Sequence, residues 1–270
     1  MSSQIWLVTG ASNGMGLSVT EYLLAEGHAV VAAVRKPESM NAHKDKYGPK
    51  ILVVKVNVQS QEDVESAFAQ AEAAFGRIDV VYNNAGYSAV GEVEAMPMED
   101  AKDMFETNFF GAMRVSLAAI KFFREINKPI GGRLIQASSI YGLCPGGATG
   151  YYSASKYALE GITESMAAEL DPAWNIKNHT YTVYSHPAYT DPTLLGNVTR
   201  SILANVDPSM IKGDPDKLAR RLYELGNLVE PPLRVILGED GPVMLAPKLA
   251  KDAKEREQYA DWAHGLAFDE

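Results

Sequence analysis

The sequence predicts an α/β fold in which one domain is built on a doubly wound, mostly parallel sheet. Short apolar runs alternate with helical patterns over the first two thirds of the chain. Glycines cluster where the first apolar run ends, as they do at strand-to-helix turns. The chain has 270 residues, of which 46% are hydrophobic and 22% charged, and this suits one well-buried domain.

The first strand, helix and strand occupy the first 34 residues. Ile5–Val8 and Ala29–Val34 are apolar runs that predict buried strands. Between them, Leu17–Glu26 has a helical pattern, and Gly27 is expected to end that helix. Two parallel strands need such a crossover connection, so this stretch is interpreted as one βαβ unit.

The same alternation continues along the chain. The further predicted strands are Ile51–Val56, Ile78–Tyr82, Arg133–Ala137 and Tyr181–Tyr184. The predicted helices between them are Gln61–Phe75, Met98–Arg124 and Tyr152–Leu170, and residues 175–180 are interpreted as a long connection. Six or more strands separated by helices give a parallel sheet covered on both faces. In such sheets, ligands bind beyond the carboxyl ends of the strands.

The pattern loosens after about Pro187. Residues 188–215 are interpreted as an excursion over the strand ends and a candidate substrate lid. Arg234–Leu237 is strand-like, and residues 239–270 are expected to form a C-terminal extension. No repeat or change in composition marks a second domain, so residues 1–270 are expected to form one domain.

Charge and cysteine content exclude several classes of function. The chain carries 25 basic and 34 acidic residues, a formal net charge of −9, which argues against nucleic-acid or anionic-membrane binding. The sequence lacks an apolar run of roughly 18 residues and a leader pattern, so a cytoplasmic protein is expected. Cys144 is the only cysteine, and an internal disulfide is therefore excluded. The histidines lack metal-ligand spacing, and no metal site is expected; they are His28, His43, His179, His186 and His264.

The glycine-rich turn Thr9–Gly16 lies where the first strand passes into a helix. Glycine lets the backbone approach a ligand closely, and the free amides of a helix start attract a phosphate. A glycine cluster alone also fits a simple tight turn, but this context favours a dinucleotide site. The turn residues expected to contact the cofactor are Gly10, Ser12, Asn13, Gly14, Met15 and Gly16.

The residues after the second strand bear on the choice between the two nicotinamide cofactors. A carboxylate there would bind the adenosine ribose and favour NAD(H), but this chain has Arg35 and Lys36. A guanidinium can bind the additional 2′-phosphate of NADP(H) with two hydrogen bonds, and Ser12 could add a donor. The alternative is that both cations are ordinary solvated charges. The sequence therefore predicts NADP(H) in preference to NAD(H).

Tyr152 and Lys156 are four residues apart, so they are neighbours on one helix face. An ammonium beside a phenol lowers the phenol pKa and makes it a usable proton donor, although most such pairs are structural. Polar residues follow two strands at the same sheet edge, namely Ser138 and Ser139 after one and Asn83–Gly86 after the other. Asn108 lies inside the predicted long helix, where asparagine usually faces solvent or satisfies a backbone group.

Together these motifs resemble the short-chain dehydrogenase/reductase family over roughly residues 5–190. The 13-residue interval between Ser139 and Tyr152 matches the family spacing and selects Ser139 over Ser138. The resemblance implies a Rossmann-type fold and hydride transfer between a nicotinamide and a ketone or secondary alcohol. Pro231–Gly238 is also similar to a closing strand of hydroxysteroid dehydrogenases, which does not establish a steroid substrate.

The resemblance also implies roles for four residues. Tyr152 would be the general acid in reduction and the base in oxidation, and Lys156 would lower its pKa and bind the nicotinamide ribose. Ser139 would polarise the substrate carbonyl, and Asn108 would position a water that links Lys156 to solvent. Such prepositioned donors stabilise the alkoxide as the hydride arrives.

The remaining implied cofactor contacts include two departures from the family pattern. Asn84, Ala85 and Gly86 would line the adenosine ribose. Asn57 stands before Val58 where the family usually has an aspartate, and its amide oxygen can still accept a bond from the adenine amine. Where the family has Pro-Gly after the sixth strand, this chain has Pro187, Ala188, Tyr189 and Thr190.

An apolar substrate pocket is expected around the catalytic residues, and it favours a bulky, hydrophobic ketone or alcohol. The residues predicted to line it are Ser139, Tyr141, Leu143, Tyr151, Tyr152, Tyr189 and Leu194. Family members commonly pair through two long helices, so a homodimer or homotetramer is expected. Two alternatives stay open: a dinucleotide-binding sensor or scaffold without turnover, and an epimerase or dehydratase on the same fold.

Overall fold

The structure is a computed structural model that describes residues 3–183 and 214–264. Its centre is a seven-stranded sheet with the order β3-β2-β1-β4-β5-β6-β7. The strands are β1 Ile5–Thr9, β2 Ala29–Val34, β3 Ile51–Lys55, β4 Val80–Asn83, β5 Gly132–Ala137, β6 Ile176–Val183 and β7 Arg234–Leu237. Every pair of neighbouring strands is parallel, so the predicted doubly wound α/β fold is confirmed.

Helices cover both faces of the sheet. They are α1 Gly14–Ala25, α2 Asn41–Tyr47, α3 Gln61–Phe75, α4 Met98–Phe105, α5 Ala112–Glu125, α6 Gly150–Glu169, α7 Pro215–Asn227 and α8 Asp240–Gln258. A π-helical segment, Glu106–Gly111, joins α4 to α5, and a short 3-10 turn, Ile140–Gly142, follows β5. The predicted helix Met98–Arg124 is thus one helical stretch with a π-helical middle.

Two apolar cores lie on opposite faces of the sheet. One is formed with α1 and α7 and contains Trp6 and Val8 of β1, whereas the other is formed mainly with α3 and α5 and contains Leu7. Successive side chains of a strand point to opposite faces. Because both faces are covered, β1 is an unbroken apolar run, as is usual in parallel sheets.

Strand β6 starts five residues before the predicted start at Tyr181, and the prediction of a connection over residues 175–180 is wrong. After Ile176 the first half of the strand is polar, and Asn178, His179 and Thr180 are buried. Parallel pairing with β5 places His179 opposite Ile135. Strands were predicted from apolar runs, and the polar side chains of this strand interrupt such a run, so its first half was not recognised.

Parts of the C-terminal third lie outside the described residues. Of the candidate lid, residues 188–213 fall there, as does Tyr184 at the predicted end of the sixth strand. Helix α7 begins directly after them, with the Asp214 side chain accepting bonds from two backbone amides and Pro215 in the first turn. The predicted C-terminal extension contains α8, which runs from Asp240 to Gln258.

His179 makes the stability of the fold depend on pH. Its ring is 1% exposed, and burial together with the positive charge of Arg133 lowers its pKa from 6.5 to about 4. Between these two pH values His179 is protonated in the unfolded chain and neutral in the folded chain. Its contribution to the free energy of unfolding is therefore unaffected above pH 6.5, and the folded state loses stability as the pH falls from 6.5 toward 4. We expect a loss of up to about 3 kcal/mol in the free energy of unfolding at this site.

Urea titrations between pH 4 and 7.5 would measure this slope. His179→Leu is expected to flatten it, because the substituted residue has no proton to bind. The exposed His264 supplies the control, since His264→Gln should leave the slope as it is in the parent protein. An unchanged slope in His179→Leu would assign the pH dependence to other groups, of which His28, with a pKa also lowered by burial, is the next to test.

Candidate active site

The glycine-rich turn forms an open cradle at the start of α1. Gly10 and Gly14 have positive φ angles of 67° and 51°, and the Asn13 side chain caps the helix by accepting a bond of 2.8 Å from the Gly14 amide. A Cβ atom on Gly14 would meet nothing within 4 Å, whereas one on Gly16 would lie 2.3 Å from the Gly10 carbonyl oxygen. Helix amides that open onto free space can receive a phosphate.

Thr9 joins the glycine turn to the next predicted cofactor segment. Its hydroxyl oxygen accepts bonds from the backbone amides of Asn84 and Ala85, each 2.9 Å long. The Asn84 side chain donates in return to the Thr9 carbonyl oxygen at 3.0 Å. Sequence reasoning did not single out Thr9. A hydroxyl residue at the last position of an apolar strand, directly before the glycine turn, is the signal that could have found it.

Arg35 and Lys36 lie at the carboxyl end of β2, beside the glycine turn. The neighbouring residue Ala33 accepts a bond of 2.9 Å from the Gly10 amide, which holds the two segments together. Both cations are exposed, and within residues 3–183 and 214–264 neither has a carboxylate partner within ion-pair distance. Their charges are therefore available to an anion from solution.

Asn57 and Val58 follow β3 at the same sheet edge. The Asn57 side-chain oxygen accepts a bond of 3.2 Å from the Gln59 amide, which leaves it one further lone pair for a ligand donor. Val58 is buried against the π-helical segment, since a Cβ atom on Gly111 would lie 2.8 Å from its Cγ2. Of these two residues, only Asn57 is exposed to a ligand.

Ser139 and Tyr152 meet where β5 ends and α6 begins. The Ser139 hydroxyl caps the turn Ile140–Gly142 by accepting a bond of 3.2 Å from the Tyr141 amide. Burial raises the pKa of the Tyr152 phenol, and the hydrogen bond between the phenol and Ser139 lowers that pKa again in part. The neighbouring Ser138 hydroxyl is buried and has no hydrogen-bond partner in the described part of the chain. The geometry thus brings Ser139, and not Ser138, to the tyrosine.

Lys156 is buried one helical turn after Tyr152. Its Nζ lies 5.8 Å from the centre of the Tyr152 ring and donates a bond of 2.8 Å to the Ala137 carbonyl oxygen at the end of β5. The side chain is 5% exposed, and burial lowers the Lys156 pKa to about 8, against the opposing charge of Glu160. A lysine with this pKa changes its charge close to physiological pH.

Asn108 faces inward from the π-helical segment and is 1% exposed. Its side chain accepts a bond of 2.9 Å from the Tyr87 amide and donates one of 2.7 Å to the Tyr87 carbonyl oxygen. It therefore satisfies backbone groups, which is one of the two uses expected for an asparagine within a helix. π-helical segments often occur at functional sites.

The side chains of Asn108 and Lys156 both lie close to Gly86. A Cβ atom at this glycine would lie 3.0 Å from the Asn108 side-chain oxygen and 3.6 Å from Lys156 Nζ. Four predicted catalytic residues from three separate elements are thus gathered at one sheet edge. They are Asn108, Ser139, Tyr152 and Lys156.

The substrate side is described only in part. Tyr141 packs edge to face against Tyr152, with ring centres 6.2 Å apart, and the Leu143 carbonyl oxygen accepts a bond of 2.5 Å from the Tyr157 hydroxyl. Tyr151 is half-buried at the start of α6. The other predicted residues of the substrate and nicotinamide side lie outside the described residues; they are Pro187, Ala188, Tyr189, Thr190 and Leu194.

A cavity of about 280 Å³ lies beside Tyr87, whose backbone binds Asn108. Its wall includes the apolar side chains of Ala89, Val90, Met96 and Pro97. Sequence reasoning did not predict this cavity, because the segment between β4 and α4 has no periodic pattern.

The sequence matches the family model described as short chain dehydrogenase over residues 4–195. The protein belongs to this family. An uncharacterized oxidoreductase of Schizosaccharomyces pombe is 31% identical, over 98% of this chain and 92% of its own. A 3-ketodihydrosphingosine reductase of Bacteroides thetaiotaomicron is 36% identical, over 64% of this chain and 60% of its own. A short-chain dehydrogenase from Streptomyces avermitilis has a similar structure, with a TM-score of 0.87, 27% identity and coverage of 99% and 100%.

As a short-chain dehydrogenase the protein is an oxidoreductase with a nicotinamide dinucleotide cofactor and a small-molecule substrate. None of the helices within the described ranges has the length and apolar character needed to cross a membrane. Residues 3–183 and 214–264 also contain no group of three histidine, cysteine or acidic side chains that could hold a metal ion.

Proposed function

We propose that this short-chain dehydrogenase uses NADP(H) to interconvert a bulky, hydrophobic ketone and the corresponding secondary alcohol. The observation that supports it most is that Tyr152 lies with the buried residues Ser139 and Lys156 at the sheet edge that also carries the glycine cradle. A phenol held between a hydroxyl and an ammonium is suited to proton transfer with a carbonyl or alcohol oxygen.

The residues present fit an NADP(H) molecule. The cradle at Gly14 is open on its outer side and offers helix amides to the pyrophosphate. Arg35 and Lys36 are exposed beside it, and a planar guanidinium suits the ribose 2′-phosphate. Ser12 and Met15 belong to the same turn, and Asn84–Gly86 flank the turn through Thr9.

The chain's own residues would move the proton. In reduction, Ser139 and Tyr152 would hold the carbonyl oxygen, and the Tyr152 phenol would donate its proton to that oxygen as negative charge develops on it. The Lys156 ammonium would stabilise the phenolate that remains, and Asn108 would position the water that returns a proton to it. Oxidation would reverse each transfer, with Tyr152 as the base. When bound, the nicotinamide supplies or accepts the hydride.

The bulk and apolar character of the substrate are inferred from the wall around Tyr152. Tyr141 lies beside the phenol, and the cavity next to Tyr87 has a mostly apolar wall. The relative named 3-ketodihydrosphingosine reductase is consistent with a keto group on a large apolar molecule.

Self-association and a cytoplasmic location complete the proposal. Phe110, Leu117 and Tyr157 are large side chains that lie exposed on the two long helical stretches, where a second copy could cover them. A dimer or a tetramer would follow, and the oligomeric state is read directly from light scattering.

The proposed activity is tested with a panel of ketones and secondary alcohols, each assayed with NADPH, NADH and their oxidised forms. We expect turnover of apolar ketones, with a higher kcat/KM for NADPH than for NADH. Cofactor binding without turnover across the panel would favour a sensor or scaffold instead. Product formation without stoichiometric use of cofactor would favour an epimerase or dehydratase.

Arg35→Ala tests the cofactor preference within this assay. We expect it to weaken NADPH binding by about tenfold to a hundredfold, since one charge-assisted pair to phosphate contributes roughly 1.5–3 kcal/mol. NADH binding should change little, and fluorescence titration of each cofactor measures both constants. Equal losses for the two cofactors would contradict a phosphate-binding role of Arg35. Lys55→Ala, at the exposed end of β3, is the matched control for removal of a surface cation.

A further inference from the structure

A buried carboxylate lies on α6 one turn beyond Lys156. Tyr152, Lys156 and Glu160 follow each other at intervals of four residues, so they share one face of the helix. Glu160 is 4% exposed, although acidic side chains are rarely so buried unless they are paired. No role in the reaction proposed above requires it.

Two partners from the sheet hold one oxygen of this carboxylate. The Thr180 hydroxyl of β6 and the Arg234 Nε of β7 each donate to Glu160 Oε2 at 2.9 Å. Arg234 also forms an ion pair with the more exposed Glu164, so its charge is divided between two carboxylates. The second oxygen, Oε1, is buried and has no hydrogen-bond partner in the described ranges.

The turn after β5 packs closely against α6 beside Glu160. A Cβ atom on Gly142 would lie 3.2 Å from Glu160 Cγ, 3.1 Å from the Lys156 carbonyl oxygen and 2.9 Å from the Ser138 hydroxyl. The turn that starts at Ser139 is therefore pressed against α6 where Lys156 and Glu160 lie.

We propose that Glu160 is a positioning residue of the reaction, whose buried carboxylate keeps the Lys156 side chain charged behind Tyr152. This inference rests on the proposed function in one respect, namely that the charge of Lys156 serves catalysis. The charged or titratable groups that face the carboxylate are Lys156 and Glu164 of α6 and Arg234 of β7, within the part of the chain that the structure describes.

The energetic reason is the burial of Lys156. Taking an ammonium out of water disfavours its charged form, and this effect lowers the Lys156 pKa. The negative charge of Glu160 acts in the opposite direction. Without it, a larger share of Lys156 would be neutral at physiological pH, and a neutral amine stabilises a phenolate less than an ammonium does.

The test follows the charge of Lys156 directly in the full chain. Lysine is labelled with ¹³C at Cε, the Lys156 signal is assigned by its loss in Lys156→Met, and its shift is recorded against pH. In Glu160→Gln, which keeps an oxygen for Thr180, we expect the Lys156 pKa to fall by at least about one pH unit. No substrate or cofactor is needed for this measurement.

Two variants separate this effect from loss of packing. Glu164→Gln removes the other carboxylate of Arg234 and should leave the Lys156 titration within a few tenths of a pH unit. Arg234→Met removes the cation that competes for Glu160, so it should raise the Lys156 pKa. Opposite shifts in Glu160→Gln and Arg234→Met are not expected from a general disturbance of the fold. If one variant fails to fold, the sign of the Lys156 pKa shift in the other variant, compared with Glu164→Gln, still tests the proposal.

The catalytic consequence is measured separately. If the proposed function holds, Glu160→Gln should lose about threefold or more in kcat at pH 7.5, since a fall of one unit from about 8 cuts the charged share of Lys156 about threefold at that pH. KM should change little, and Glu160→Asp should recover part of the loss. An unchanged Lys156 pKa in Glu160→Gln, or an equal change in Glu164→Gln, would overturn the proposal. A lowered Lys156 pKa in a protein that turns over nothing would leave Glu160 as the charge partner and refute the proposed function instead.

Discussion

Tyr152→Phe is expected to lower kcat by about 10²- to 10⁴-fold, the usual contribution of a general acid. The substitution removes one oxygen atom, the atom that meets Ser139. The ring that packs against Tyr141 stays in place. Steady-state rates of ketone reduction measure the loss, and fluorescence titration should show cofactor affinity within about threefold of the parent protein.

Tyr157→Phe is the matched control for that experiment. Tyr157 lies on the same helix, and its hydroxyl donates to the Leu143 carbonyl oxygen and not to a catalytic group. We expect this variant to lose about 1 kcal/mol in the free energy of unfolding and to keep most of its kcat. A Tyr152→Phe protein that turned over at nearly the parent rate would rule out the phenol as the proton donor.

Gly16→Ala is expected to weaken the binding of either nicotinamide cofactor by about a hundredfold. The added Cβ atom would lie 2.3 Å from the Gly10 carbonyl oxygen and 2.7 Å from the Asn84 side-chain nitrogen. Both neighbours belong to the segments expected to hold the cofactor, and the first is backbone, which cannot move without opening the turn. Such overpacking costs about 1–3 kcal/mol. The upper end of this range corresponds to a loss of affinity of about a hundredfold.

Gly161→Ala supplies the comparison. A Cβ atom at Gly161 would meet nothing within 4 Å, and alanine is the better helix former. This variant should bind cofactor normally and unfold at the same or a higher temperature. If Gly16→Ala bound NADPH as tightly as Gly161→Ala, the turn would not be the pyrophosphate cradle.

Elements with an uninterrupted local pattern were predicted closely. The bounds of β2, α3 and β7 agree with the prediction, because apolar runs or a helical repeat are flanked there by clear breaks. The first helix was predicted three residues too late, at Leu17 in place of Gly14. Gly14 and Gly16 lowered the apparent helical character of its first turn. The capping residue Asn13 lies in the turn Thr9–Gly16, which was interpreted from the sequence as a dinucleotide site and not as part of the helix.

The candidate site was predicted where its residues are close in sequence or lie at strand ends. The spacing of Tyr152 and Lys156 placed them on one helix face, and the resemblance to the short-chain dehydrogenase/reductase family gave them catalytic roles and selected Ser139 by its 13-residue interval to Tyr152. Asn108 could be placed in a helix but not oriented, because a π-helical turn changes which side chains face inward. Thr9 was missed because its role consists of bonds to residues 75 and 76 positions away.

The sequence alone determined the helical face that carries Tyr152, Lys156 and Glu160, since the spacing of four residues in a helix is a local property of the backbone. Only the tertiary structure decided what that face meets. Thr180 was assigned to a connection, yet it lies in a polar strand that pairs with β5 and turns its hydroxyl to Glu160. Arg234 reaches the same carboxylate from β7, 74 residues away, because parallel pairing places β7 next to β6. The partners of the buried carboxylate beside Lys156 are thus set by strand order, which depends on pairing between distant segments and not on any local pattern.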